Sequence, residues 1–231
     1  MTKLVKKAFS FLKSIALINP WKTLYFNLYY FSLKTAIRLP VLIFWRTEFF
    51  SLRGKIIITS PISTGMIRIG AHGLGTQDLL YSRTMLDLNG TLIIKGKTNI
   101  GRGCKISIGR NAILEIGKNL TITGDTSIIC HKEISFGDNC LLSWHILIMD
   151  TDFHKILNEN EEIINENKPI RIGNHIWIGC RNTILKGVSL PDNSIISANS
   201  TITKSFMENN CIIGGHGKDA HIIKRGVNWS H

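Results

Sequence analysis

Aliphatic residues recur every six positions over much of the chain. From Ile172 onward every sixth residue is Ile or Leu, without interruption, through Ile202. The same period joins Phe136, Leu142 and Ile148, and shorter upstream series are separated by slips of two residues. A period of six fits neither an α-helix nor a simple strand, but it fits short strands joined by tight corners. With one inward aliphatic residue per face, three faces predict a triangular coil of 18 residues.

Corner residues follow the same rhythm. Gly-x-Asn sequences occur at Gly109–Asn111, Gly117–Asn119 and Gly137–Asn139, and a related Gly-Asn pair occurs at Gly173–Asn174. Gly and Asn accept positive φ at low cost, as tight corners require. His175 is interpreted as a further corner residue. The pattern therefore predicts a solenoid built from repeated coils rather than a layered globular fold.

One segment interrupts the rhythm. Residues 150–169 carry most of the local charge and lack the six-residue period. A loop of this length inside a compact repeat is functional or disordered in most proteins. The sequence therefore predicts an excursion from the solenoid, with Asp150–His154 at its beginning.

The first fifty residues lack the repeat. Leu4, Ala8, Phe11 and Ile15 lie at helical spacing with lysines between them, which predicts an amphipathic helix. The apolar segment Leu39–Trp45 is flanked by arginines. Such a front can lie in an anionic membrane interface, or it can cap the end of a solenoid. Both alternatives stay open.

Charge separates the front of the chain from the rest. The formal charge is +12, and residues 1–55 hold ten basic residues against one acidic residue, Glu48. Because the basic residues are mixed with apolar ones, we expect a membrane surface rather than nucleic acid as a partner. No apolar run is long enough for a transmembrane span. Five cysteines without a CxxC pair or an export signal indicate free thiols in a reducing cytoplasm.

These features together resemble the left-handed β-helix, hexapeptide-repeat acyltransferases. Asp150-Thr-Asp-Phe-His154 resembles the D-T-D-x-H segment of the branch that O-acetylates bacterial capsule and lipopolysaccharide sugars, and Ile172–Gly179 resembles the segment that follows the excursion there. The resemblance implies an all-β, left-handed parallel β-helix. We expect three parts: an N-terminal segment (1–53), the β-helix (54–214) and a tail (215–231).

The resemblance implies transfer of acetyl from acetyl-CoA to a glycan hydroxyl, without a metal. A neutral hydroxyl needs a base, and imidazole suits this near neutral pH. His154 is the predicted base. Asp152 is the predicted partner that orients it, because alternate residues share a face if this segment is extended. The resemblance further implies a homotrimer with active sites between subunits, in the cytoplasm or at the inner face of the membrane.

The remaining candidate residues come from the same resemblance. The acceptor side is expected to include Asp125, Ser143, Trp144, Asp150 and Trp177. Coenzyme A is expected to contact Cys180, Ala198, Thr203, Lys204, Lys218 and Lys224. The tail lacks the Pro common in the family, which leaves the adenine end least defined.

Three other functions were considered. An N-acetyltransferase acting on a nucleotide-linked amino sugar is the nearest alternative, and the D-T-D-x-H segment disfavours it. A zinc enzyme of the gamma carbonic anhydrase type needs three histidine ligands, and the repeat's histidines show no matching spacing: His131, His145, His154 and His175. A non-enzymatic scaffold or nucleic-acid binder is suggested only by the basic front.

Overall fold

The chain folds into a three-sided prism of parallel strands. The structure is a computed structural model that describes residues 16–71, 75, 77, 78 and 80–230. The expected helix between Leu4 and Ile15 lies outside these residues. Within the described residues, α1 (Pro20–Tyr30) and α2 (Leu33–Ala36) precede the prism.

Each face of the prism is one sheet. Sheet A contains β1 (Val41–Ile43), β4 (Ile67–Ala71), β7 (Thr98–Gly101), β10 (Leu120–Gly124), β13 (Leu141–Trp144), β16 (Trp177–Ile178), β19 (Ile195–Ile196), β21 (Cys211–Gly214) and the antiparallel β23 (His221–Arg225). Sheet B contains β2 (Thr47–Ser51), β5 (Thr84–Leu88), β8 (Lys105–Ile108), β11 (Ser127–Cys130), β14 (Leu147–Met149), β17 (Thr183–Leu185), β20 (Thr201–Ile202) and β22 (His216–Gly217). Sheet C contains β3 (Lys55–Ile58), β6 (Thr91–Ile94), β9 (Ile113–Ile116), β12 (Glu133–Phe136), β15 (Ile170–Ile172) and β18 (Ser189–Leu190).

The strand register confirms the six-residue period. Ile178 pairs with Ile196 one coil of 18 residues later, and Phe136 pairs with Ile172 across the excursion. Both residues of each pair point inward and are nearly fully buried. The two-residue slips have a structural cause, because earlier strands such as β8 place two aliphatic residues inside, Ile106 and Ile108. A strand with two inward residues is longer, so the coil that contains it has more residues than the regular 18.

The corners form where Gly and Asn predicted them. Asn111, Asn119 and Asn139 adopt φ near +60°, and His175 adopts φ of +54° as a corner residue. An L-residue with a longer side chain is strained in this region, whereas Asn tolerates it. The corners stack into three edges, which we call A–B, B–C and C–A after the sheets they join.

Residues 41–53 of the N-terminal segment and much of the tail belong to the solenoid. β1, β2 and β3 form the first coil, so the expected boundary after residue 53 is wrong and the solenoid begins at Val41. The tail, expected to be separate, supplies β22 and β23. Helix α1 lies against β1, where the buried side chain of Asn27 bonds both the N–H and the C=O of Val41. The helix therefore covers an edge strand that would otherwise expose unpaired backbone groups.

Asp150 anchors the start of the excursion. Its side chain is fully buried, and its carboxylate accepts three backbone N–H groups at the B–C corner one coil earlier, those of His131, Lys132 and Glu133, at 2.6–2.8 Å. Charge-assisted bonds of this kind are among the stronger ones in proteins. The expected substrate contact by Asp150 is therefore wrong, because its oxygens face the protein's own backbone.

We expect Asp150→Ala to lower the free energy of unfolding by about 3 kcal/mol or more, because it leaves three N–H groups without their acceptor. Asp152→Ala serves as the matched control, with an expected loss below about 1 kcal/mol because its side chain is 42% exposed and lies on the excursion rather than in the prism. Urea unfolding at fixed protein concentration measures both. Equal stability of the two variants would contradict the anchoring role.

Candidate active site

The excursion forms one wall of a cleft at the B–C edge. The cleft measures about 470 Å³, and His154 lines it together with His131, Phe153 and Asn165. The His154 side chain is exposed, and in the described part of the chain its imidazole has no hydrogen-bond partner. Among the described residues no group therefore occupies either ring nitrogen.

The backbone turns sharply before His154. Phe153 adopts φ of +61°, and the Thr151 hydroxyl accepts the Phe153 N–H at 3.0 Å. The Phe153 ring then meets His131 edge-on, with ring centroids 4.9 Å apart. The segment is not extended, so the expected shared face of residues 150, 152 and 154 does not form. The turn instead brings His154 into the cleft beside His131.

Asp152 does not orient the imidazole as expected. Its carboxylate accepts hydrogen bonds from Lys186 at 2.5 Å and from the Asn165 amide at 2.8 Å, and its carbonyl accepts the His154 N–H at 2.7 Å. The bonds from Lys186 and then Asn165 hold the pKa of Asp152 below its usual value. Asp152 therefore bonds the backbone of the loop. Among the described residues its carboxylate makes no hydrogen bond to the His154 ring.

A second group of candidate residues lies on sheet A. Trp177 is 37% exposed, and its indole N–H donates to the Ser143 hydroxyl at 3.2 Å. Ser143 is buried beneath this ring, so it supports Trp177 rather than facing an acceptor as expected. Trp144 ends β13, where its carbonyl accepts the Arg181 N–H.

The tail supports this group from the other side. Trp229 stacks on His175 at 4.4 Å, lies 6.2 Å from Trp177, and donates its indole N–H to the His175 carbonyl. Sequence patterns do not reveal this contact, because 54 residues separate the partners. The tail that departs from the family pattern therefore packs beside Trp177.

Asp125 lies at the A–B edge. It adopts φ of +43°, and the Ser82 hydroxyl is 3.5 Å from its carboxylate. Ser82 belongs to an insertion between β4 and β5 that the sequence analysis missed and that is described only in part. The sequence does indicate this insertion, because the six-residue repeat is missing between Ile69 and Leu86, an interval that contains several glycines.

The residues expected to contact coenzyme A lie on the last coils. Cys180 and Ala198 lie at the A–B edge, whereas Thr203 and Lys204 follow β20 at the B–C edge. The Lys204 ammonium donates to the Lys218 carbonyl at 2.9 Å, which places it against the backbone of Lys218. Lys224 is exposed on β23.

The candidate residues therefore fall on two different parts of one protomer. His154, Asp152 and Lys204 lie at the B–C edge, whereas Trp177 and Asp125 lie on sheet A and at the A–B edge. Sheet B separates Asp125 from the B–C edge, and Trp177 lies on the face opposite that edge. A single prism does not bring them together.

Neither a metal centre nor a reactive thiol emerges from the described residues. Among them no group of three or more His, Cys, Asp or Glu side chains is placed to hold a metal ion, so the zinc alternative has no ligand set there. The cysteines are free, and burial raises the pKa of Cys104 to about 12 and that of Cys140 to about 11. These buried thiols stay protonated near neutral pH.

Known proteins resemble this chain in sequence over limited regions. No family model matches it. The polysialic acid O-acetyltransferase of Neisseria meningitidis is 45% identical over 65 residues, which are 28% of this chain and 30% of that protein. The galactoside O-acetyltransferase of Escherichia coli strain K12 is 37% identical over 109 residues, 46% of this chain and 49% of that protein. The chain therefore spans about half or less of these two relatives.

A solved structure matches over a larger part of the chain. The polySia specific acetyltransferase NeuO has a TM-score of 0.62 and 22% identity, and the match covers 83% of this chain and 79% of that one. A match of this extent confirms the left-handed parallel β-helix. Together, the sequence and structural similarities confirm the resemblance to hexapeptide-repeat acetyltransferases.

Proposed function

We propose that this protein transfers an acetyl group from acetyl-CoA to a hydroxyl of a bacterial surface polysaccharide. The observation that carries the proposal is the exposed imidazole of His154 in a cleft, on the loop where the D-T-D-x-H resemblance expects the base. The names of the two relatives, O-acetyltransferases of polysialic acid and of galactosides, support a carbohydrate hydroxyl as the acceptor.

In the proposed reaction His154 takes the proton from the acceptor hydroxyl as its oxygen attacks the thioester carbonyl. A tetrahedral intermediate forms, and its negative oxygen needs hydrogen-bond donors, which we expect from backbone N–H groups at a coil corner. The C–S bond then breaks, and the departing thiolate takes the proton from the imidazolium. General-base assistance of this kind contributes about 10²–10⁴-fold to the rate.

The last coils fit acetyl-CoA. Cys180 and Ala198 have small side chains at the A–B edge, which leave the backbone there accessible to a pantetheine chain. The Lys204 ammonium contacts the backbone of Lys218, both lysines are exposed, and their charges suit phosphate groups. Lys224 on β23 is a third exposed cation near this end of the prism.

We further propose that the active site forms between copies of the chain in a homotrimer. Its support is the separation of the candidate residues, with His154 at the B–C edge and Trp177 on sheet A. If the B–C edge of one protomer faces sheet A of its neighbour, both groups border one groove. Closed rings of this kind repeat one heterologous contact around the symmetry axis.

We expect His154→Ala to lower kcat by about 10²–10⁴-fold, because the hydroxyl then loses its base. The assay follows thiol release and product mass with acetyl-CoA and the host's surface polysaccharide. His221→Ala is the matched control, since His221 is exposed on β23 and bonds only a neighbouring carbonyl through its ring.

His131→Ala tests the competing base, because His131 lines the same cleft. A loss confined to His131→Ala would contradict the assignment of His154. Transfer to a nucleotide-linked amino sugar but to no polysaccharide would favour the N-acetyltransferase alternative.

The N-terminal face supports a proposed contact with an anionic membrane surface. Helix α1 buries Phe26 against the prism but exposes Trp21 to 77%, together with Leu24, Tyr25 and Leu28. An exposed apolar helix face followed by the exposed cation Lys34 on α2 suits an anionic membrane interface. In the described residues no helix has the length and hydropathy needed to cross a bilayer.

We expect the double variant Trp21→Ser/Leu24→Ser to reduce binding to vesicles of phosphatidylglycerol and phosphatidylethanolamine by about tenfold or more, because it removes apolar area from the interface. Tyr81→Ser is the matched control, since Tyr81 is 79% exposed elsewhere on the prism. Co-sedimentation measures binding. Equal binding of the double variant and the Tyr81→Ser control would contradict the proposed contact. So would binding of the wild type to phosphatidylcholine vesicles as strong as its binding to the anionic vesicles.

A further inference from the structure

The ammonium group of Lys186 reaches the excursion from the coil above it. Lys186 directly follows β17 in sheet B, and its side chain is only 18% exposed. Its ammonium donates to the Asp152 carboxylate at 2.5 Å and to the Asn165 carbonyl at 2.6 Å. One cation thus joins the outgoing arm of the loop, through Asp152, to the returning arm, through Asn165.

Asn165 extends the same connection to both sides of His154. Its amide N–H₂ donates to the Asp152 carboxylate and to the His154 carbonyl, each at 2.8 Å, and its amide oxygen accepts the Ile156 N–H at 2.7 Å. The Asn165 side chain therefore bonds one group on each side of His154, the Asp152 carboxylate and the Ile156 N–H, as well as the carbonyl of His154 itself. That side chain lies next to the Lys186 ammonium.

This ion pair differs from the other ion pairs of the described residues. In those pairs the cationic side chain is 31–65% exposed, whereas Lys186 is 18% exposed. Exposed pairs contribute little because water screens them and both side chains lose freedom. A half-buried ammonium with two acceptors loses less to the solvent, and removing it leaves Asp152 and the Asn165 carbonyl without their donor.

The charge state of Asp152 supports the connection over the physiological range. Hydrogen bonds from Lys186 and Asn165 lower the pKa of Asp152, so its carboxylate stays ionised. A group with a lowered folded-state pKa stabilises the fold above its unfolded pKa, and this contribution is lost as the pH falls through the lowered value. Near neutral pH the contribution is fully present.

We propose that Lys186 is a positioning residue that fixes the excursion so that His154 stays in the cleft. The role in catalysis rests on the proposed acetyl transfer, whereas the fixing of the loop does not. Lys186 acts through Asp152 and Asn165 and does not itself touch the reacting atoms. Because a displacement of about 1 Å at a catalytic group can cost about 10²-fold in rate, a loosened loop lowers turnover even when the fold persists.

The kinetic test uses Lys186→Met, which keeps the length of the side chain and removes its charge. We expect kcat to fall about 10–100-fold, whereas the KM for acetyl-CoA changes less than about twofold, because the loss is one of positioning. Lys168→Met is the matched control, since Lys168 is an exposed lysine at the end of the same loop. Lys186→Arg, which restores the charge, should recover part of kcat.

A double-mutant cycle separates positioning through Asp152 from a general loss of stability. Two residues that act as one unit give non-additive effects. We therefore expect Lys186→Met/Asp152→Asn to lower kcat no more than about twofold beyond the larger single variant. Additive losses would overturn the proposed route through Asp152.

Amide hydrogen exchange tests the fixing of the loop without any assay of activity. We expect the N–H groups of Ile156 and Ile164 to exchange about tenfold faster or more in Lys186→Met, and those of the β12 core strand to stay unchanged.

Unchanged exchange in the loop would overturn the proposal, whatever the measured activity of the enzyme. Faster exchange with unchanged kcat would overturn the positioning role. If the wild type transfers acetyl to no acceptor, the proposed function fails, and loop exchange still decides whether Lys186 fixes the loop.

Discussion

The stacking of one aliphatic side chain on the next, coil after coil, determines where every other part of this protein lies. Each inward residue, such as Ile178 above Leu142, is buried because its neighbours above and below carry the same kind of side chain. Once these layers are in register, the corners fall on three edges and the outward residues fall on three faces. The prism is thus a rigid frame, and the candidate base His154 lies on a loop that projects from one of its edges.

The excursion departs from this frame at a point where the frame holds it firmly. Asp150 binds three N–H groups of the coil below, and Lys186 reaches down from the coil above. An otherwise exposed loop is therefore fixed from both sides at its base. This arrangement explains how His154, whose ring has no partner among the described residues, can keep a defined place, since its backbone is fixed instead. Catalytic groups on loops need such support from the scaffold that carries them.

The sequence predicted those features that depend on neighbours along the chain or one coil away. The six-residue period predicted the inward residues, Gly-x-Asn predicted the corners at Asn111 and Asn139, and the interrupted rhythm predicted the excursion. It did not predict the start of the solenoid at Val41, because aromatic residues hide the period in the first coil. Nor did it predict the anchoring by Asp150 or the ion pair of Lys186, because these polar contacts between coils do not repeat and so leave no periodic pattern in the sequence. Two aspartates of one motif, Asp150 and Asp152, carry different roles for this reason, since burial rather than spacing decides what a carboxylate binds.

In the proposed trimer, His154 of one protomer and Trp177 of its neighbour border the same site. One mixing experiment tests this arrangement most directly. Co-expression of His154→Ala and Trp177→Ala chains with different tags allows purification of assemblies that contain both. Each variant alone should be nearly inactive, whereas every mixed trimer has about one site in three with an intact histidine opposite an intact tryptophan. Recovery of about a third of the wild-type activity is therefore the predicted result. Mixed assemblies as inactive as their parents would contradict a site shared between neighbouring prisms.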